Sequence, residues 1–355
     1  MATPLEEQFK ITKTVYSWVM PETEALIREV QANPKFWGEI QNRHREAWTG
    51  KQDAYHEEFF ETWLEWTSGV VNKPTGSYYY PTAGSSEAIR ESLAQMASIA
   101  SYRPHLGVPT IHVFGGEYEG YKALAEPYGI HVVTHDRAQW EEAVDKIAAS
   151  THKGRGHRFY ISQPSSINGC MWQEFPDFLD LVASTTEAKV MLDICYVGTV
   201  PQDCYPDYKI PADHEVIDTV FFSLSKVFGL YYHRVGGMIT HTEHPGLWGN
   251  KWFKNLTSLY LGTSFMQTHG VTELPDKYRD LQHEVIVDIE RGDTEGIFNP
   301  KIGSDMIASD VFLLATQTSS FPGMLPNTFA RTPHYNRYCL TCRLYEKCKE
   351  NGMYE

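Results

Sequence analysis

The chain has 355 residues, 42% hydrophobic and 21% charged, enough to bury a large core and to favour one large and one smaller domain over a single unit. Forty-five acidic residues against 31 basic ones give a formal charge of −14, which argues against nucleic-acid binding through a general basic surface. No stretch is long and apolar enough to span a bilayer, and the first residues carry early acids and no apolar segment of the kind a secretory signal needs.

In chain order, residues 20–68 read as helices, with Pro21 opening one and Phe59, Phe60, Trp63 and Leu64 forming the apolar face of another. After Tyr80, strand-like runs at 110–114, 130–134, 158–162, 189–194, 217–222 and 235–240 alternate with helical patterns. That alternation predicts an α/β fold with a mainly parallel sheet between helices. A long helical pattern from Asp276 to Arg291 leads to a C-terminal segment, which is expected to join the N-terminal residues in a small α+β domain. The bounds drawn are 1–60 and 286–355 for the two parts of the small domain and 61–285 for the large one.

Several segments carry chemistry. Gly84, Ser85 and Ser86 stand just before a helical pattern that begins near Glu87, where small residues let backbone N–H groups approach a phosphate. Both serines would serve equally as N-caps. Tyr118 follows the strand-like run 110–114 within a glycine-flanked turn, where an aromatic can lie over a flat ligand. Asp193 is the only charge in the apolar run 190–197 and so needs a partner, and Tyr196 follows three residues later. In the run 223–237, Ser223, Ser225 and Lys226 are followed by Arg234, Gly236 and Gly237. A lysine between hydroxyls and an arginine can form a Schiff base with the aldehyde of pyridoxal 5'-phosphate, while serines and a guanidinium hold the phosphate. Asp193 would then keep the pyridine nitrogen protonated, so that the ring acts as an electron sink. Thr263 and Ser264 are candidates for reaching a cofactor site, their own or a partner's, or for capping a helix.

Together these motifs resemble, from about Tyr79 to Gly237, the fold-type I pyridoxal-phosphate enzymes of the aspartate aminotransferase superfamily. The resemblance implies Lys226 as the Schiff-base lysine, Asp193 as the pyridinium partner and Tyr196 as the hydroxyl at the ring oxygen. It further implies Gly84, Ser85, Ser86, Ser223, Ser225 and Arg234 around the phosphate, Tyr118 stacked on the ring, and a homodimer. One segment departs from the family pattern. Where many relatives have Asn-Pro-x-Asn-Pro-Thr-Gly, this chain has Gln163, Pro164, Ser165, Ser166, Ile167, Asn168 and Gly169. Aligned on the glycine, the asparagine that touches the ring oxygen falls on Ser166, and Asn168 is carried as the expected contact. Arg337, in the alternating run 336–341, resembles the arginine that binds the substrate carboxylate, with Arg331 and Arg343 as competitors.

The implied activity acts on a free amino acid through an external aldimine and an α-carbanion, most simply as an aminotransferase. The alternative is a lyase or cyclase: elimination, replacement or ring closure, as with arginine-derived amino acids. A non-catalytic cofactor-binding regulator is a third reading: the retained lysine, aspartate and phosphate ligands argue against a cofactor-free protein and leave a binding role open. The six cysteines, at 170, 195, 204, 339, 342 and 348, read as reduced thiols of a cytoplasmic enzyme. Cys339, Cys342 and Cys348 lack a fourth zinc ligand at a usual spacing, and no metal is expected.

Overall fold

The computed structural model describes residues 4–46, 52–102, 108–150, 152–250, 255–293, 296, 298, 305–319, 325 and 327–354. Helices α1 (Pro4–Phe9), α2 (Pro21–Ala32), α3 (Pro34–Glu46) and α4 (Gln52–Thr67) precede the first strand, β1 (Tyr78–Thr82). Then follow α5 (Ser85–Tyr102), β2 (Thr110–Phe114), α6 (Gly120–Ala125), β3 (His131–His135), α7 (Trp140–Ala148), β4 (Arg158–Ser162), α8 (Phe175–Thr185), β5 (Lys189–Asp193), β6 (Ile217–Ser223) and β7 (Gly236–Thr240). Helices α9 (Leu256–Thr268) and α10 (Glu273–Gly292) lead to β8 (Ile307–Ala308), β9 (Leu314–Thr318), β10 (Ala330–Thr332), β11 (Tyr335–Cys339) and α11 (Thr341–Glu350).

Strands β1 to β7 make one seven-stranded sheet in the order β1-β7-β6-β5-β4-β2-β3. Pairing is parallel from β3 through β6, and only β7 runs against its neighbours β1 and β6. The chain ends of six strands therefore lie along one edge, where open α/β sheets bind ligands. Side chains alternate between the two faces, as the period of a strand requires. Phe159, Leu192 and Phe222 enter one core with α4 and α8, while Tyr160, Met191 and Phe221 enter a second core with α5. Trp63 of α4 stacks on Phe222 with ring centroids 4.2 Å apart and planes 18° from parallel. These strands are apolar on both faces because helices cover both.

A four-stranded antiparallel sheet, in the order β10-β11-β9-β8, stands beside the first. The N-terminal segment joins it, since Thr12 and Cys339 exchange backbone hydrogen bonds of 3.3 and 2.8 Å. The expected bounds at 60/61 and 285/286 each fall inside a continuous helix, α4 and α10. Thr263 and Ser264 lie in the middle of α9, which corrects the reading of them as a helix start. The N-cap is Asn255, whose side-chain oxygen accepts from the N–H groups of Thr257 and Ser258 at 3.0 and 3.3 Å. Among the described residues no helix is long and apolar enough to cross a membrane.

Candidate active site

The C-terminal ends of β1, β2, β4, β5 and β6 bring most of the singled-out residues to one edge of the large sheet. Asp193 ends β5 at the centre of the sheet and is buried. Its Oδ1 accepts from the Cys195 N–H at 3.1 Å and its Oδ2 from the Tyr121 hydroxyl at 3.1 Å. It forms no ion pair among the described residues. Burial pushes its carboxyl up to about 6, against the hydrogen bonds from Cys195 and Tyr121 that favour the charge. A buried carboxyl held this far above its ordinary range lacks a cationic partner.

Lys226 lies just beyond β6, partly buried, and its Nζ donates to the carbonyl of Val15. Burial lowers its ammonium to about 8, with Arg337 and Arg234 acting in the same direction. The N-terminal segment thus reaches over the site: the Ser17 hydroxyl also bonds the Ser225 carbonyl, at 2.5 Å. Tyr196 follows β5 and is buried, with its hydroxyl pushed up to about 12.

At one end of this constellation is a cluster of small and polar groups. Gly84 has φ +80°, and a Cβ there would stand 3.0 Å from Arg234 Nη2 and 3.4 Å from Ser223 Oγ. The pairing of Thr82 with Gly236 across β1 and β7 brings these segments together. Arg234, itself left-handed at φ 52°, donates to the Ala83 carbonyl at 2.6 Å and lies 5.2 Å from the centre of the Tyr231 ring. Ser223 Oγ and Ser225 Oγ are 3.0 Å apart, and Ser85 opens the 18-residue helix α5. Tyr118 is 40% exposed and meets Ser86 Oγ with its hydroxyl at 3.3 Å.

At the other end, Arg337 projects from β11 and is 4% exposed. Its guanidinium donates to the carbonyls of Ser166 and, at 3.2 Å, Lys13, while its Nε is buried without a partner. Burial lowers its pKa. Arg331 spends its donors on the Gly116 and Glu117 carbonyls and on Glu119 at 2.5 Å, and Arg343 pairs with Glu346 on α11 at 3.0 Å. Of the three competitors, Arg337 retains an unsatisfied donor.

The segment 163–169 divides as its departure from the family pattern suggests. Asn168 turns its side-chain oxygen back to the Cys170 N–H at 3.2 Å. Ser166 instead lies against Arg337 and gives its hydroxyl to Glu117 at 2.6 Å. Glu117 and Tyr121 went unnoticed as site residues in the sequence: Glu117 stands in the same glycine-flanked turn as Tyr118 and Tyr121 in α6 just after it, and nothing local marks which acid of that turn is buried. A groove of about 710 Å³ between residues 16–19 and α11 is lined by Tyr16, Cys342, Arg343 and Tyr354 and by none of Asp193, Lys226 or Arg337.

No family model matches the sequence, and no curated protein is similar enough to serve as a relative. Solved structures do match. A histidinol-phosphate aminotransferase from Clostridium acetobutylicum is 12% identical over 96% of this chain and 98% of that one, with a TM-score of 0.58. A C–S lyase from Staphylococcus hominis, solved with pyridoxal phosphate bound, is 12% identical over 83% and 78%, also at 0.58. YbdL from Escherichia coli, for which a methionine aminotransferase function was identified, is 14% identical over 82% of each chain, at 0.57. At such identities the likeness is one of architecture: the chain has the fold of the fold-type I pyridoxal-phosphate enzymes.

Proposed function

We propose that this protein is a pyridoxal-phosphate-dependent aminotransferase acting on a free α-amino acid. The observation that carries the reading is buried Asp193, without an ion pair among the described residues, at the same sheet edge as Lys226, the Gly84–Ser223–Arg234 cluster and buried Arg337. The residues fit the cofactor. A Cβ at Gly84 would crowd Arg234 at 3.0 Å and touch Ser223, so glycine there leaves room where Ser223, Ser225, Arg234 and the N-terminus of α5 would meet a dianion. Asp193 would hold the protonated ring nitrogen, Tyr118 the ring face, and Tyr196 the side of the ring oxygen. When bound, the cofactor supplies an electron sink for the pair of electrons left at the α-carbon as its proton departs.

The remaining work falls to the chain. Arg337 would orient the substrate carboxylate through a bidentate contact and so fix which α-bond stands perpendicular to the ring. Lys226 would take and return the α-proton through Nζ, and its lowered pKa of about 8 places neutral amine within reach at working pH. Asp193, Tyr196 and Arg337 are buried, a setting that would help keep water from the reacting carbon. A cytoplasmic homodimer completes the proposal: the exposed Tyr118, Tyr231 and Tyr232 flank the phosphate end, where a second copy would cover them.

The test is a single turnover of the cofactor-loaded protein with a panel of amino acids, including arginine and its hydroxylated forms, in the absence of any keto acid. An aminotransferase releases one equivalent of keto acid and stops with the amino group retained. Continuous release of water or another leaving group would replace this reading by a lyase or cyclase. Sedimentation of the loaded protein as a monomer at micromolar concentration would remove the homodimer.

A further inference from the structure

We propose that Glu117 is a positioning residue that joins the two charged ends of the site: its carboxylate, held by the hydroxyls of Ser162 and Ser166, adds a second negative charge beside Asp193 and fixes the carbonyl on which Arg337 rests. This rests on the pyridoxal-phosphate reading above. Glu117 occupies the turn after β2 and is 6% exposed. Its Oε2 accepts from Ser162 Oγ at 2.5 Å and Ser166 Oγ at 2.6 Å, and its Oε1 from the Ser162 N–H at 3.4 Å. Each serine belongs to one end. Ser162 is the β4 residue opposite Asp193 in the β4–β5 ladder, and the Ser166 carbonyl accepts from Arg337.

A glutamine could take both hydroxyls on its one oxygen but would turn its NH₂ onto the Ser162 N–H, so acceptance through both oxygens suits a carboxylate. The acid adds charge, and it does so in a buried place with no ion-pair partner among the described residues. The groups around it are Asp193 of β5, Tyr121 of α6, Cys195, Arg137 with its Nη1 on Ser165 Oγ at 2.7 Å, and Arg331, which holds the Glu117 carbonyl at 2.8 Å. Arg337 reaches the Ser166 carbonyl, and Arg337 and Arg234 act on Lys226. Burial raises the Glu117 pKa while the two serines and Arg137 oppose it, and Glu117 in turn raises Asp193. A carboxylate here stabilises any cation nearby, including the ring nitrogen on Asp193 and the nitrogen through which Lys226 would carry the cofactor.

The experiment loads wild type, Glu117→Gln and Ser166→Ala with pyridoxal phosphate and follows the pH midpoint of the bound cofactor's absorbance change. Glu117→Gln should keep the cofactor and shift the midpoint to lower pH by about one unit, the effect of removing one nearby buried charge of opposite sign to the titrating cation. Ser166→Ala takes one donor from the carboxylate, leaves it less ionised, and should shift the midpoint in the same direction by less. A purely structural role would leave the midpoint in place. Unmoved or raised midpoints in the variants that bind cofactor overturn the proposal, and Ser166→Ala carries the test alone if the glutamine variant does not fold. A wild-type absorbance band that survives Lys226→Ala overturns the functional reading and this inference together, whereas a Lys226-dependent band with unmoved midpoints removes the role of Glu117 alone.

Discussion

Replacing Asp193 with asparagine should make the cofactor-free protein more stable and the cofactor-binding protein worse. Asp193 is buried, its oxygens accept from Cys195 and from the Tyr121 hydroxyl, and its carboxyl is raised from the ordinary 3.8 to about 6. The folded state therefore holds a proton on Asp193 up to about pH 6, while the unfolded chain releases it near 3.8. Between those values stability falls as pH rises, and above the folded value the whole penalty is present. A shift of two units corresponds to about 3 kcal/mol. Asparagine avoids the penalty and keeps both contacts, since its amide oxygen can accept from Cys195 and its NH₂ can donate to the tyrosine oxygen. Urea unfolding of the cofactor-free proteins across the acidic to neutral range should show the variant gaining on wild type from about pH 4 to pH 6 and then holding a lead of up to ~3 kcal/mol. Pyridoxal phosphate should reverse the order, because only the carboxylate can pair with a protonated ring nitrogen. A difference between the two proteins that does not change with pH would refute the claim that a buried, unpaired charge sits at the end of β5.

Other expectations are more direct. Lys226→Ala should abolish the long-wavelength absorbance of the bound cofactor along with turnover, and a normal band in that variant would remove the central assignment. Arg337→Ala should leave that band intact while weakening amino-acid binding by roughly 30- to 1,000-fold, the range for losing a charge-assisted fork worth about 2–4 kcal/mol, as read by spectral titration. No change would move the carboxylate site to Arg331 or elsewhere. Gly84→Ala should lower the affinity for pyridoxal phosphate by at least about tenfold and cost about 1 kcal/mol of stability, because a Cβ meets Arg234 at 3.0 Å in a left-handed backbone. Equilibrium dialysis and thermal unfolding read the two effects.

Much of the scaffold was legible in the sequence, because strands and helices in a doubly covered sheet are written in local runs. The six strand runs from 110 to 240 fall within a residue or two of β2 to β7, and the pattern Asp276–Arg291 lies within α10. The strand β1 was not legible: Tyr78–Thr82 contains Pro81 and ends at a glycine turn, and it is a strand because β7 pairs with it along the whole of its length. The spacing of Asp193, Lys226 and Arg234 likewise pointed to a cofactor because each charge stands in an apolar or serine-rich setting where it needs a partner.

What tertiary structure alone decided is which polar groups meet across long separations. Arg337 was separated from Arg331 and Arg343 by what each one already bonds, and the contacts that do so come from residues as distant as Lys13, Gly116 and Ser166. From the sequence, Asn168 is carried as the contact at the ring oxygen; the folded loop turns Asn168 onto Cys170 and Ser166, two residues before it, onto Glu117 and Arg337. Glu117 was invisible for the same reason. The cost of burying a carboxylate is a property of the place, and that place is made only when β2, β4, β5 and β11 bring their ends together. Periodicity and isolated charges are local and survive in the linear chain, whereas a hydrogen-bond network between strand ends exists only after folding.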